Sequence, residues 1–159
     1  MTYYKHINSK GVLVGYDIGL ITTDEYGSTE VQNVEVAEDE YLLYKLKQEK
    51  IALNDELRDS ALLQGVEYQN VLFDSDTDQK TNLIGTILSM SDTDTITWFG
   101  MDNTALLCTK ADLYAISDLI KELHSFCWGM NAHVKELVAN AETIEEVEAI
   151  DISYVRDDT

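Results

Sequence analysis

The chain has 159 residues, of which 45% are hydrophobic, so it is long and apolar enough for an ordinary domain with a buried core. Thirty acidic residues against 11 basic ones give a formal net charge of −19. So acidic a surface repels nucleic acids and anionic membranes, which excludes a protein that binds either. It suits a highly soluble protein or one that binds a basic protein surface.

The cysteine content and the start of the chain indicate where the protein is made. Cys108 and Cys127 are too few for a disulfide framework. The opening MTYYKHINSK lacks the apolar segment of a secretory signal, and no run approaches the roughly 18–20 apolar residues of a membrane span. We therefore expect a soluble protein synthesised in the cytoplasm. Proline is absent, so long helices lack their strongest breaker.

Residues 1–37 predict a small antiparallel β meander. TYYKHI and VLVGYD flank the turn-forming run Asn8–Gly11, which is typical of a hairpin. IGLITT predicts a third strand and TEVQNVEV a fourth, with DEYGS as the break between them.

Residues 38–65 predict a connecting amphipathic helix. Acids crowd its first turn, where they favour the helix dipole, and Gly65 is a natural stop. Its predicted apolar stripe is interrupted by Lys50 and contains Leu43, Leu46, Leu53 and Leu57.

The next segment, VEYQNVLF, predicts a short extended stretch before DSDTDQ. The alternating aspartates Asp74, Asp76 and Asp78 are spaced as in a calcium loop. Such a loop also needs Gly at its sixth position and Glu at its twelfth, where this chain has Gln79 and Gly85. We therefore interpret the acids as a helix cap. The helix they begin, residues 78–90, is predicted to carry Leu83, Ile84, Ile87 and Leu88 on one apolar face.

TDTITWFGMDNTALLCT predicts a β-hairpin. Ile96 and Trp98 alternate on one strand, Leu106 and Cys108 alternate on the other, and residues 100–103 form the turn. Trp98 or Phe99 could be a recognition residue, but a large aromatic side chain beside a hairpin is usually part of the core, and we favour that interpretation.

A long amphipathic helix from Thr109 to Ala141 dominates the second half of the chain. Apolar residues alternate at steps of three and four, which predicts one continuous apolar seam. Its members are Leu113, Ile116, Ile120, Leu123, Cys127, Met130, Val134, Leu137 and Ala141. Thr109 and Asp112 resemble a capping box at its start. Thr143 and Glu146 predict a second capping box, which begins a short helix before a frayed tail, DISYVRDDT.

Two arrangements would bury this seam. Copies of the chain could pair in a coiled coil, or the helices at 38–64 and 78–90 could cover the seam within one protomer. The second arrangement is favoured because those helices are already present in the chain. Self-association on top of it remains open.

The sequence contains no recognisable catalytic, cofactor-binding or metal-binding pattern. His124 and His133 lie nine residues apart, which is not the spacing of a zinc helix, and the glycines are scattered at turns. No nucleophile elbow or phosphate-binding glycine loop is found. We therefore expect a protein without enzymatic activity and without a cofactor.

The sequence thus predicts an α+β fold in three parts: a β-rich segment at 1–37, a connecting helix at 38–65 and a helix-dominated region at 66–159. We expect its functional residues to make protein contacts. Candidates at the hairpin tip and on the long helix, outside its seam, are Trp98, Phe99, Met101, Asp102, Phe126 and Trp128.

The segment from about residue 68 to 153 resembles an uncharacterised domain that recurs at the C-terminal ends of phage tail proteins. The resemblance rests on four features in order: a helix led by Asp78 and Gln79, the strand TITWFGMDN, the Thr-capped start ALLCTKADL, and the ending AETIEEVEAID. It implies a tail-fibre component or fibre-assembly helper, located in the virion tail. It assigns no catalytic residues.

Two functional hypotheses follow. The first is a structural or assembly protein of a phage tail that contacts other tail proteins. The second is a small acidic phage-encoded inhibitor that covers the basic, nucleic-acid-binding surface of a host protein, because the acids are spread over the whole chain.

Overall fold

A computed structural model describes residues 1–21 and 31–156 and shows the predicted α+β fold. Seven strands and four helices follow one another in these described residues. They are β1 (Tyr3–Asn8), β2 (Leu13–Asp17), β3 (Val31–Val36), α1 (Glu38–Leu62), β4 (Val66–Tyr68), β5 (Val71–Phe73), α2 (Thr77–Ser89), β6 (Thr95–Phe99), β7 (Ala105–Thr109), α3 (Lys110–Asn140) and α4 (Ile144–Ala149).

The chain divides into two compact units. Unit 1 consists of Met1–Leu53 and Val134–Asp151, and unit 2 consists of Asn54–His133 and Ile152–Thr159. The long helices α1 and α3 contribute residues to both units. The division into segments 1–37, 38–65 and 66–159 stays a prediction.

Unit 1 contains a three-stranded antiparallel sheet in the order β2-β1-β3. The predicted first hairpin is confirmed, with Gly11 in the left-handed region of its turn (φ +75°). The predicted third strand is wrong over residues 18–21, where the chain forms no strand. There the Asn33 side chain bonds both the backbone N–H and the C=O of Ile21. The predicted break DEYGS lies outside the described residues.

The first turn of α1 packs on this sheet through polar and aromatic side chains. Lys5 and Tyr16 both donate to Glu40 Oε1, at 3.2 and 2.8 Å. Two tyrosine pairs have ring centroids within 4.6 Å, namely Tyr3–Tyr41 and Tyr16–Tyr44. Burial and the nearby Glu40 carboxylate raise the pKa of Tyr16 to about 12.

The buried face of α1 is more polar than predicted. In unit 1, Lys50 donates to the backbone carbonyl of Glu148. In unit 2, Asn54 is fully buried on the same face. Leu53, predicted on the stripe, is instead exposed. Lys50 and Asn54, four residues apart, therefore lie on the packed face of α1. They can do so because their polar groups have hydrogen-bond partners.

The segment between α1 and α2 contains a hairpin that the sequence analysis did not predict and a helix cap that it did. VEYQNVLF forms a hairpin, because Gln69 and Asn70 both adopt positive φ and turn β4 back into β5. Asp76 caps α2 by accepting the backbone N–H of Gln79, which confirms the capping interpretation.

Only half of the residues on the predicted apolar face of α2 are buried. Leu83 and Ile87 are buried, whereas Ile84 and Leu88 are exposed. The two pairs form adjacent ridges about 100° apart on the helix surface, and the core of unit 2 covers the first pair.

The long helix α3 is confirmed within one residue of its predicted ends. Its cap is confirmed too, since Thr109 and Asp112 bond each other reciprocally. Seven of the nine predicted seam members are buried, namely Leu113, Ile116, Ile120, Leu123, Cys127, Val134 and Ala141. The prediction is wrong at Leu137, which is 40% exposed while the adjacent Val138 is fully buried. A straight helix drifts by about 20° per heptad from a strict seven-residue repeat, so neighbouring residues can exchange places at the edge of the buried face.

The C-terminal part confirms one prediction and corrects another. The Thr143–Glu146 capping box begins α4 as predicted. The predicted frayed tail is wrong at Tyr154, whose hydroxyl donates to the side-chain carbonyl of buried Asn54 at 2.7 Å.

Among the described residues, no helix has the length and apolar character needed to span a membrane.

Candidate protein-contact surface

The β6–β7 hairpin of unit 2 has one face against the core and one face toward solvent. Its register pairs Thr97 with Leu107 and Phe99 with Ala105. Side chains alternate along each strand, so Trp98 packs against the core while Phe99 and Leu107 lie on the outer face. The indole Nε1 of Trp98 is buried without a hydrogen-bond partner among the described residues.

Backbone and side-chain hydrogen bonds shape the hairpin tip. The N–H of Gly100 donates to the carbonyl of Thr104 at 2.9 Å, and Asn103 adopts a positive φ of 64°. Asp102 accepts from both the backbone and the hydroxyl of Thr104, at 2.9 and 2.8 Å. These two hydrogen bonds lower the pKa of Asp102. Asp102 therefore fixes the turn and stays charged at neutral pH.

The tip is also attached to the neighbouring β4–β5 hairpin. The N–H of Met101 donates to the carbonyl of Leu72 at 2.8 Å. A Cβ atom at position 100 would lie 2.6 Å from Val71 Cγ1 and 2.7 Å from the Leu72 carbonyl oxygen, so only glycine fits there. The tip of one hairpin is thus held against the backbone of the other.

Four large apolar side chains remain exposed on this support. Leu72, Phe99, Met101 and Leu107 are 44%, 55%, 43% and 68% accessible, and we name them the hairpin surface. Exposed apolar side chains are individually common, but a group on adjoining rigid strands is typical of a protein-binding site.

The hairpin surface is connected to the start of α3 by a polar cluster. Asp112 accepts hydrogen bonds from Thr109 and from the hydroxyl of Tyr68, the latter at 2.7 Å. These bonds, that of the Thr109 side chain foremost, lower the pKa of Asp112, and the same carboxylate raises the pKa of Tyr68. The Asp112 carboxylate at the start of α3 is therefore hydrogen-bonded to both β4 and β7.

The two aromatic candidates on α3 are both partly covered. Phe126 is half-buried against the core of unit 2. Trp128 is 53% exposed, and the Arg58 guanidinium lies 4.3 Å from the centroid of its ring. Arg58 is itself paired with Asp55 and Asp59, at 2.9 and 2.7 Å. The Trp128 face is therefore occupied by an intramolecular cation–π contact.

A groove of about 630 Å³ adjoins the hairpin surface. Its walls are mostly apolar side chains of α1, β4, β5 and α3, and Leu72 belongs to both groove and surface. Residues 152–156 form one side of the groove.

The structure brings Phe99, Met101 and Asp102 together at the hairpin tip. It turns Trp98 inward and leaves Phe126 and Trp128 on another element. Sequence reasoning missed Leu72 and Leu107. Leu107 was available from the pattern, since inward Leu106 and Cys108 require the residue between them to point outward.

The described residues contain no cluster of three or more histidine, cysteine or acidic side chains that could hold a metal ion. The histidines with contacts serve the fold: His124 Nε2 lies 2.8 Å from the Ser75 carbonyl oxygen, and His6 Nδ1 lies 2.7 Å from Asn33 Oδ1. Cys108 and Cys127 are both buried, and burial raises the pKa of each thiol.

Comparison with known proteins gives one match. Residues 45–154, well over half of the chain, match the family described as a domain of unknown function (DUF4376). No curated protein and no solved structure matches the chain. The matched range contains the hairpin surface, all six contact candidates and the groove apart from Val155 and Arg156.

Proposed function

The chain belongs to the DUF4376 family, whose function is unknown, and we propose that it is a non-enzymatic phage tail structural or tail-fibre assembly protein that acts through protein contacts. The observation behind the proposal is the hairpin surface, four exposed apolar side chains on two hairpins that are bonded to each other. The resemblance of residues 68–153 to phage tail domains supplies the setting, the virion tail.

A protein-binding role agrees with the chemistry of this surface. Aromatic side chains and methionine are enriched in protein interfaces, and the centre of an interface is depleted of charge. The outer face of β6 and β7 consists of Thr95, Thr97 and Phe99 on one strand and Ala105, Leu107 and Thr109 on the other. That face is uncharged in a chain with a net charge of −19. The partners we propose are other tail proteins, with self-association as an addition.

Site-specific cross-linking in infected cells tests the proposal. A photo-reactive phenylalanine analogue at position 99 should capture a tail protein, and Leu107→Ser should reduce that capture. The matched control places the analogue at position 88 on α2, because Leu88 is even more exposed but lies outside the hairpin surface. Equal capture from positions 88 and 99, or no capture of tail proteins from either, would overturn the proposal.

A second candidate function is supported by the charge. Acidic runs at 35–40, 74–78 and 142–151 would fit the basic groove of a host nucleic-acid-binding protein. Binding of that kind weakens steeply as salt rises, whereas contact through apolar side chains does not. Pull-down at low and at high salt distinguishes the two. A host nucleic-acid enzyme released by salt supports the inhibitor, and a tail protein retained in salt supports the tail role.

Self-association has a separate measurement. Light scattering of the purified chain gives its mass in solution. A monomer would exclude self-pairing without affecting contacts to other tail proteins.

A further inference from the structure

In the part of the chain that the structure describes, no strand lies beside the outer edge of β6. Among the described residues, β6 and β7 form a two-stranded sheet, and no further strand pairs with either of them. Natural proteins protect such edges with lysine, proline, bulges or inward-pointing charges. The five residues of β6, TITWF, contain no charge and no proline, and their register with β7 is free of bulges.

The register shows which backbone groups of β6 point outward. Gly100 and Thr104 form a hydrogen-bonded pair, so the next pair, Phe99 with Ala105, is a non-hydrogen-bonded one. The alternation makes Thr95, Thr97 and Phe99 the residues whose N–H and C=O groups point away from β7. All three residues are exposed. They form an edge with three donors and three acceptors in regular spacing.

The corresponding edge of β7 is partly occupied. By the same alternation its outward N–H groups belong to Ala105, Leu107 and Thr109. The N–H of Thr109 already donates to the Asp112 carboxylate at 2.7 Å, because it caps α3. This bond independently supports the derived orientation, and it leaves β6 as the more complete edge.

Aspartates flank β6 at both ends. Asp92 and Asp94 precede the strand and Asp102 follows it. Hydrogen bonds from Ser91 lower the pKa of Asp94, and those from Thr104 lower the pKa of Asp102. Asp92 is paired with Lys110 Nζ at 3.4 Å, so two carboxylates and one ammonium precede β6 and the Asp102 carboxylate follows it. A partner strand beside β6 would therefore meet net negative charge near each of its ends.

These aspartates oppose pairing between two copies of β6. An antiparallel pair of two β6 strands would bring the turn that contains Asp102 of one copy close to Asp94 of the other, at both ends of the ladder. Each copy also has a net charge of −19. Like charges brought close together oppose association, so the edge favours a different partner.

We propose that the outer edge of β6 binds an extended segment of a partner protein by β-strand addition, and that this segment has lysine or arginine at both ends. Backbone hydrogen bonds to Thr95, Thr97 and Phe99 would provide the affinity, while the flanking aspartates would select for basic ends. The inference rests on the proposed function, since it specifies how the hairpin region holds its partner.

A synthetic peptide, Lys-Thr-Val-Thr-Val-Thr-Lys, is the probe. In NMR titrations of the full chain it should shift the amide signals of Thr95, Thr97 and Phe99 and slow their hydrogen exchange. The same peptide with glutamate at both ends should bind roughly tenfold more weakly, since it repels the aspartates. Absence of amide shifts with the basic peptide, up to its solubility limit, would overturn the proposal.

Backbone methylation of the peptide separates strand addition from contact with side chains. N-methyl groups on the residues that face β6 should abolish binding, whereas N-methyl groups on the alternate residues should leave it unchanged. Equal effects of the two patterns would contradict strand addition. Because only the peptide is altered, the folding of the protein is not affected.

On the protein, Thr97→Pro removes one outward N–H that the β6–β7 ladder does not use, and it should weaken peptide binding about tenfold. The matched control is Ala105→Pro, which removes an outward N–H on β7 and should leave peptide binding unchanged. Partner capture that depends on Phe99 but not on the Thr97 N–H would overturn edge pairing and leave the proposed function intact. Peptide binding without any tail-protein capture would retain edge pairing and contradict the tail role.

Discussion

The contact between the sheet and α1 in unit 1 and the core of unit 2 are made of different kinds of side chain. Unit 2 has an extensive apolar core with fully buried Phe73, Leu83, Leu113 and Ile116. In unit 1 the sheet meets α1 through the tyrosine pairs and through Glu40, which binds Lys5 and Tyr16. Burial of apolar surface is insensitive to pH, whereas hydrogen bonds to charged groups depend on protonation. We therefore expect the core of unit 2 to be sensitive to cavities and the contact between the sheet and α1 in unit 1 to be sensitive to pH.

The largest expected effect is a cavity in unit 2. Phe73→Ala should lower the free energy of unfolding by about 3–5 kcal/mol, because Phe73 is fully buried and its removal loses both transfer energy and packing. Denaturant unfolding followed by tryptophan fluorescence reports on unit 2, since Trp98 and Trp128 both belong to it.

Phe99→Ala is the control for that measurement, because it removes the same side chain from an exposed position. It should change the free energy of unfolding by less than about 1 kcal/mol. Similar losses for the two variants would contradict the assignment of Phe73 to the core and Phe99 to the surface.

The next effect tests the polar part of unit 2. Tyr154→Phe should cost about 1–2 kcal/mol, because it leaves the side-chain carbonyl of fully buried Asn54 without the hydroxyl that donates to it. Tyr114→Phe is a matched control on an exposed tyrosine of α3. Chemical denaturation compares the two. Equal stability of both variants would mean that the Tyr154–Asn54 bond does not secure residues 152–156.

A smaller effect is expected in unit 1 at high pH. The pKa of Tyr16 is raised from 10.0 to about 12, so the folded state holds a proton that the unfolded chain loses first. Its contribution to stability is complete below pH 10 and is lost as the pH rises through about 12. Tyr16→Phe should therefore flatten the fall in stability between pH 10 and 12. Absorbance titration of tyrosine ionisation, read beside unfolding curves, checks this window.

The smallest effect is expected in acid. Hydrogen bonds from Tyr16 and Lys5 lower the pKa of Glu40 from 4.5 in the folded state. The stabilisation is therefore present above pH 4.5 and is lost as the pH falls through the lowered value. Glu40→Gln should reduce the acid sensitivity of the near-UV tyrosine signal. An unchanged acid profile would show that the Glu40 contacts do not stabilise unit 1.

The tyrosine pairs could not be foreseen from the sequence. Tyr3 and Tyr16 lie on strands, Tyr41 and Tyr44 lie on α1, and no local pattern joins them. The hairpin surface was partly predictable. Its tip followed from turn chemistry at Gly100–Asn103, but Leu72 joined it only because β5 bonds Met101 across a long stretch of sequence.

Local rules determined the ends of elements. The caps at Asp76, Thr109 and Thr143 each depend on a side chain within three residues of the backbone that it bonds, so the sequence alone specifies them. The alternation of the β6–β7 strands and the length of α3 are local in the same sense.

Tertiary structure decided which face of each helix is buried. On α2 it chose Leu83 and Ile87 over the adjacent Ile84 and Leu88, and on α3 it chose Val138 over Leu137. Neighbouring rows of side chains on one helix can be equally apolar. Over a few turns, a hydrophobic repeat of 3.5 residues also differs too little from the helical repeat of 3.6 for the sequence to show which row is buried. Only the packed neighbours make that choice.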